Sequence, residues 1–223
     1  MQYTIDSPQS ASSQAAKTLR AMIIDGVIPD GDRINEVHLS QRLQISRTPI
    51  REGLGQLVAE GFVEIIPRRG FFACPLNANE FSDLYDLRPM LDPEALLLGG
   101  QLTPEEIDAL EQSNEVFQNA QPGAEAVNAD ENFHRLLIAR CQNAVLLGVI
   151  DNLMARTRRY ELALFRETAP VNCAANEHKM IIKALRDQQL QDAAKHLHGN
   201  LTSGKGPILD WLATRLDRTK EQS

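Results

Sequence analysis

From Ala15 onward, Leu19, Met22 and Ile23 recur at helical spacing, and the pattern stops near Gly26. Ile28-Pro29-Asp30-Gly31 reads as a turn. A second short helix is predicted over residues 35–43, with Val37, Leu39 and Leu43 apolar, and Gln44-Ile45-Ser46 forms a tight connection to a third. Ser46 or Thr48 can cap that third helix and Pro49 suits a first turn. Ile50, Leu54, Leu57 and Val58 supply its inner face, and Gly61 marks its end. Residues 62–66 and 71–73 then read as two strands, joined by the hairpin Pro67-Arg68-Arg69-Gly70.

Beyond Pro75 the pattern is almost wholly helical. Asn79 can cap a helix through Phe81, Leu84, Leu87 and Leu91, with Pro93 bending or interrupting it and Gly99-Gly100 ending it. Thr103-Pro104-Glu105-Glu106 combines a cap, a first-turn Pro and a capping-box Glu. After a break at Pro122-Gly123, helices are predicted at about 125–141, 144–166, 171–187 and 190–215. The fold class that follows is mainly α. A winged helix-turn-helix with a small β-hairpin wing occupies residues 12–75, an all-α bundle occupies 76–223, and a polar, small-residue arm over 1–11 is expected to be disordered.

Charge changes this picture. The 223 residues carry 23 Lys and Arg against 30 Asp and Glu, a net of −7, which by itself argues against nucleic acid as a partner. The first 75 residues, however, hold eight basic and eight acidic residues, so the entire excess of −7 belongs to the helical part. Aromatic residues are only 5% of the chain, so the core must be aliphatic. No apolar run approaches the ~18 residues of a membrane span. The opening MQYTIDSPQSASSQ lacks the features of a secretory signal. Cys74, Cys141 and Cys173 form neither a metal-type pair nor a disulfide framework, and the setting expected is cytoplasmic.

Arg47 and Arg51 lie four apart on one face of the third helix, and Ser46 and Thr48 place hydroxyls at its N-terminus. Arg68 and Arg69 sit at the hairpin tip beside Gly70. A helix pair followed by a basic hairpin is the plan of a winged helix-turn-helix that binds double-stranded DNA. The alternative for any one of these arginines is a solvated surface charge. Leu39-Ser40-Gln41-Arg42-Leu43-Gln44-Ile45-Ser46-Arg47-Thr48-Pro49-Ile50-Arg51-Glu52 resembles the recognition region of GntR-type transcription regulators. Leu57, Glu60-Gly61-Phe62-Val63 and Arg69-Gly70-Phe71-Phe72 match that family's third-helix end and wing. The resemblance implies DNA contacts from Ser46, Arg47, Thr48, Arg51, Arg69 and Gly70. Gly53 and Gly55 depart from it, since each costs ~1 kcal/mol against Ala inside a helix.

In the helical part, Asp130 and His134 project from one helix face, His178 follows Glu177 on another helix, and His196 and Asn200 share a third. An Asp with several imidazoles inside a bundle is an N/O site suited to Zn, Ni or Mn. Spacing alone also permits local pairing of Asp130 and unconnected, partly buried histidines. Asp130-Glu131-Asn132-Phe133-His134-Arg135-Leu136-Leu137, then Asn143, then Glu177-His178 with Ile181 and Ala184, resemble the all-helical FCD ligand-binding domain of the FadR-like branch, over about 78–215. That resemblance implies Asp130, His134 and His178 as metal ligands. It normally supplies a further His 22 residues after His178, where this chain has Asn200. Asn200 could ligate through its amide oxygen, His196 could replace it from one turn earlier, or the site could be metal-poor. The first is the reading adopted. His198 is rotated some 200° from His196 on an ideal helix and falls outside the pocket. The resemblance also points to Arg88 as a pocket cation for a carboxylate effector, with a salt bridge to Asp86 or Asp92 as the rival role. Arg156 is a second candidate of the same kind, in a run otherwise read as a solvated face.

The function implied is a transcription regulator, a repressor, acting as a homodimer on a near-palindromic operator, with a small carboxylate bound beside a divalent metal. One rival is a helical domain serving only as a dimerisation block. Another is a metalloenzyme, which lacks a general base in sequence beside the ligands and a second Glu-x-x-His motif. No catalytic residue is expected.

Overall fold

The structure, a computed structural model, describes residues 10–167 and 174–221, without the side chains of 167 and 216–221. The expected arm therefore lies outside the described residues except for its last two positions, as does the expected helix start at 171. The chain divides into two compact units, Met1–Leu76 and Asn77–Ser223.

In the first unit, helix α1 (Ala11–Ile24) begins a turn before the apolar pattern because the Ser10 hydroxyl accepts a hydrogen bond from the Ser13 N–H at 3.2 Å. Helix α2 (Glu36–Leu43) is capped by Asn35, whose Oδ1 accepts from Val37 and His38. Gln44 ends it in the left-handed region, φ 54°. The Ser40 hydroxyl donates to the Ile45 carbonyl at 2.7 Å across the turn into α3 (Arg47–Ala59). Strands β1 (Val63–Ile66) and β2 (Gly70–Ala73) pair antiparallel, with Val63 opposite Ala73 and Ile66 opposite Gly70. The sequence pattern gave no sign of a third pairing. Arg33 bridges Phe72, and Gly31, Asp32 and Ile34 exchange backbone hydrogen bonds with Ala73 and Phe71. The wing is thus anchored to the segment that precedes α2.

Gly53 finds its reason here. A Cβ on Gly53 would lie 2.8 Å from the Ala16 nitrogen and 3.1 Å from the Ser12 carbonyl oxygen, so α1 crosses α3 backbone to backbone. Arg20 of α1 then reaches Glu60 past the end of α3 with two hydrogen bonds of 2.7 Å. Gly55 has open space around it.

The second unit consists, among the described residues, of seven helices: α4 (Ala78–Gly99), α5 (Pro104–Asn119), α6 (Ala124–Ile138), α7 (Ala144–Glu167), α8 (Ala174–Arg186), α9 (Leu190–Ser203) and α10 (Lys205–Glu221). Helix α4 packs along α9 and α7, α8 on α9 and α5, and α5 on α6. Between them lies an aliphatic core that includes Leu96, Leu110, Leu137, Ile150, Ile181 and Leu185.

Three sequence expectations are corrected. Asn77, not Asn79, caps α4, accepting from the Asn79 and Glu80 N–H groups. Pro93 does not interrupt α4, which runs through both Pro89 and Pro93. Pro93 has no N–H for the Pro89 carbonyl four residues back, and His198 Nδ1 takes up that oxygen at 2.7 Å. The expected single helix over 190–215 is two. Gly204 separates α9 from α10, passing so close to α4 that a Cβ there would lie 2.8 Å from the Tyr85 hydroxyl. Pro207 then occupies the first turn of α10, where its missing N–H costs nothing.

Gly53→Ala is expected to lower stability by ~1–3 kcal/mol, since the methyl meets backbone that cannot rotate away. Gly55→Ala should raise it by ~0.5–1 kcal/mol through helix propensity alone. Urea denaturation of the two full-length variants beside wild type measures the contrast.

Candidate metal centre and nucleic-acid face

Helix α6 places Asp130 and His134 four residues apart on one face, and α8 brings His178 against them. The possible ligand atoms of these three residues all lie within 4.8 Å of one another. Asp130 Oδ2 is 3.6 Å from His134 Nε2, and Oδ1 is 3.4 Å from His178 Nε2. His134 and His178 are buried and Asp130 is half-buried.

The orientation of His178 can be assigned from its surroundings. Asn114, buried on α5, donates from Nδ2 to the Ala175 carbonyl, 3.3 Å away. Its Oδ1 is therefore the atom that meets His178 Nδ1 at 3.0 Å, and it must accept. The ring plane is fixed by stacking on Phe133, with centroids 3.8 Å apart. In a neutral imidazole Nδ1–H then leaves Nε2 as a bare lone pair. Burial keeps the ring neutral, holding the His178 pKa down at about 3. Nε2 has no hydrogen-bond partner, although it faces the Asp130 carboxylate. Two acceptors so opposed repel each other unless a cation lies between them. His134 is likewise held neutral, by burial first and then by the charge of Arg88. Burial raises Asp130 to about 6, with Arg88 opposing and Glu131 and Glu177 adding to the rise.

The other candidates fall into different roles. Asn200, buried on α9, donates from Nδ2 to Glu177 Oε2 at 2.8 Å, and its Oδ1 is left buried without a partner. Glu177 immediately precedes His178, so the amide is tied to the chain beside the ligand set. His196 is half-buried and makes no hydrogen bond or ion pair among the described residues. His198 is engaged with Pro89 and stands apart from the ligand set. Arg88 is buried on α4 and bonded through Nη2 to Asp92 Oδ2 at 2.7 Å, while Arg88 Nε and Asp92 Oδ1 stay unpartnered. Arg156 is paired with Glu80, which also accepts from the Tyr160 hydroxyl at 2.5 Å.

Two site residues escaped the sequence reading. Asn114 betrays itself only as a polar residue on the apolar stripe of Ile107, Leu110 and Phe117. Glu161 on α7 offers no such signal. Its carboxyl is raised to about 7, by burial and then by the Asp130 charge, against the pull of Arg88.

In the first unit, Ser46, Arg47, Thr48 and Arg51 are all exposed at the start of α3. Ser46 occupies the N-cap position, but its side chain makes no capping bond, so the hydroxyl is uncommitted. Arg47 and Arg51 make no ion pair or hydrogen bond among the described residues. Arg69 is exposed on the wing with its guanidinium 5.1 Å from the Phe72 ring centroid, and Gly70 beside it has φ 100°. The Arg68 backbone also lies in the left-handed region, φ 64°, which the hairpin pattern did not anticipate.

Two family models match the chain: "Bacterial regulatory proteins, gntR family" over residues 11–73 and "FCD domain" over residues 83–202. The Nta operon transcriptional regulator of Aminobacter aminovorans is 32% identical over 188 residues, which cover 81% of this chain and 86% of the relative. The HTH-type transcriptional repressor RspR of Escherichia coli is 27% identical, over 80% of each chain. Among solved structures, E. coli McbR/YncC aligns with a TM-score of 0.79 at 20% identity, over 91% of this chain and 99% of that one. A putative regulator from Rhodococcus sp. RHA1 aligns with a TM-score of 0.71 at 21% identity, over 89% of this chain and 97% of the other, so both share the fold. With an α3 face of unpaired arginines and a His–His–Asp cluster inside a helical unit, the chain belongs to the GntR family of transcription regulators, in the group that carries an FCD domain.

Proposed function

We propose that the protein is a cytoplasmic repressor that binds a near-palindromic operator as a homodimer, and that a small carboxylate held beside a divalent metal in the FCD domain sets its affinity for DNA. The observation that carries the ligand half is the convergence of Asp130, His134 and His178 around an orphaned, buried imidazole nitrogen. Two neutral imidazoles, a carboxylate and, from α9, the amide oxygen of Asn200 form a donor set that fits Zn, Ni or Mn. A metal so held would supply a fixed positive charge to which a carboxylate can bind. Arg88 Nε, buried and without a partner, adds a donor for the same carboxylate. His196, one turn before Asn200 on α9, and Arg156 on α7 are flanking candidates for effector contact.

Regulation then follows from linkage. The effector must favour one arrangement of the paired DNA-binding units over the other, and DNA must shift effector affinity by the same factor. For the DNA half, Arg47 and Arg51 are charges with no internal partner, available to guanine edges or phosphates. Ser46, Thr48, Arg69 and Gly70 complete the contact set.

Arg47→Ala and Arg51→Ala should each weaken operator binding by ~1–3 kcal/mol where a base contact is lost. Gel shifts at fixed salt check this, and wild-type affinity in the double variant would sink the DNA face. Protein purified without a metal-affinity tag should carry close to one divalent ion per chain by elemental analysis. His134→Ala should lose it, and chelation should lower the melting temperature of the wild type alone. Failure of both would leave the domain as a dimerisation block. Asn200→His should shift preference from Mn towards Zn and Ni by ~10-fold or more, because an imidazole replaces a harder amide oxygen. Competition titration reads that ratio, and an unchanged ratio would remove Asn200 from the ligand set.

A further inference from the structure

The wing holds a basic group beyond those already assigned to DNA. Arg33 stands just before α2, far in sequence from the hairpin, yet its backbone bridges Phe72 antiparallel. Hydrogen bonds on either side hold that pairing. The Ile34 N–H donates to the Phe71 carbonyl at 2.8 Å, and the Ala73 N–H donates to the Asp32 carbonyl at 3.0 Å. Bridged partners carry their side chains on one face of a sheet, and so do residues two apart along a strand. Arg33, Phe72 and the open position of Gly70 therefore share a face. The side chain agrees, since Arg33 Nε lies 4.0 Å from the point that a Cβ on Gly70 would occupy. The Arg69 guanidinium comes to the same Phe72 ring, 5.1 Å from its centroid. Glu64, opposite Phe72 on β1, is the acid of this face, and it forms no ion pair with either arginine among the described residues.

Arg33 is exposed, and its side chain makes no hydrogen bond or ion pair among the described residues. Its guanidinium donors are thus uncommitted beside a residue that has no side chain of its own. Gly70, at φ 100°, lets a bulky anion approach the strand closely. A guanidinium presents paired N–H donors that match two oxygens of a phosphate. The backbone pairing on both sides of Arg33 also reduces the freedom that its charge must give up on binding. We infer that Arg33 is a further DNA contact, which meets a backbone phosphate beside Gly70 and adds affinity without reading sequence. This rests on the reading that α3 and the wing face duplex DNA. It extends the contact surface from the hairpin to the segment that anchors it.

The test uses the full-length protein and two pools of short DNA duplexes, one of random sequence and one enriched by repeated selection on the wild type. Binding is titrated between about 50 and about 200 mM salt. Arg33→Gln, which keeps much of the stem and loses the charge, should weaken binding by ~5-fold or more on both pools alike. It should also reduce the slope of log affinity against log salt by ~0.9 per chain. Arg33→Lys should restore the slope, and both variants should keep the wild-type melting temperature. An unchanged slope in Arg33→Gln, or a lowered melting temperature, makes Arg33 a strut of the wing and overturns the inference. A loss confined to the enriched pool makes it a base contact and overturns it also. The Arg47→Ala, Arg51→Ala double variant tests the underlying reading in the same titration. If it loses the enriched pool while Arg33→Gln binds as wild type does, only Arg33 leaves the contact set. If the double variant binds like wild type, or the wild type binds neither pool, the DNA face itself fails and takes Arg33 with it.

Discussion

The helical domain is organised around two buried imidazoles that cannot take up a proton. Desolvation holds His134 and His178 neutral, and the His178 proton is committed to Asn114. Asp130 therefore has no imidazolium partner, and across 3.4 Å it faces the bare lone pair of His178 Nε2. A hydrophobic core of this composition would relax away from such a contact if it could. Phe133 stacked on His178, and Asn114 bonded to the Ala175 backbone, hold the arrangement in place. Preorganising donors ahead of the ion in this way is how a protein makes a metal site tight, since the ligands lose little freedom when the ion arrives.

The surrounding helices serve this constraint through small compensations. Helix α4 carries two prolines four residues apart, which removes two N–H groups from its ladder. His198 satisfies one freed carbonyl, and in doing so it fixes α9 against α4 and leaves Asn200, on the same helix, held towards Glu177. The histidine that helical rotation places outside the pocket thus repairs a helix. Gly204 lets the same helix pair approach at the Tyr85 ring. The DNA-binding unit uses the same device at Gly53, where a residue that weakens α3 as an isolated helix permits the crossing that assembles it.

Elements whose cause is local were legible in the sequence. The capping box at Thr103-Glu106, the three helices of the DNA-binding unit and the hairpin appear where the residues place them. The i, i+4 spacing of Asp130 and His134 put both on one face, and the structure brings His178 to them. What was not legible depended on choices between near-equal partners. Asn77 and Asn79 both suit a cap, and tertiary packing selects the first. Arg88 could meet Asp86 or Asp92. Only burial of the helix face on which Asp92 lies decides it, while Asp86 on the exposed side goes to Lys205. Glu161 and Asn114 were invisible because their significance lies in which charges and carbonyls other helices bring to them.

The net charge of −7 is informative only once pairing is considered. In the FCD domain the site arginines 88, 156 and 158 and the surface arginines 135, 140 and 186 all meet carboxylates. Among the described residues of the DNA-binding unit, Arg20 alone is tied off in an ion pair, with Glu60, and Arg47 and Arg51 have none. Equal numbers of acidic and basic residues can thus still leave exposed arginines free for phosphate, because Arg47 and Arg51 form no ion pair among the described residues. In the acidic domain, by contrast, Asp130 meets two neutral imidazoles and no cationic side chain within ion-pair distance among the described residues. Whole-chain charge averages over both conditions, and only the local pairing separates exposed arginines available to an anion from a buried carboxylate and imidazoles available to a cation.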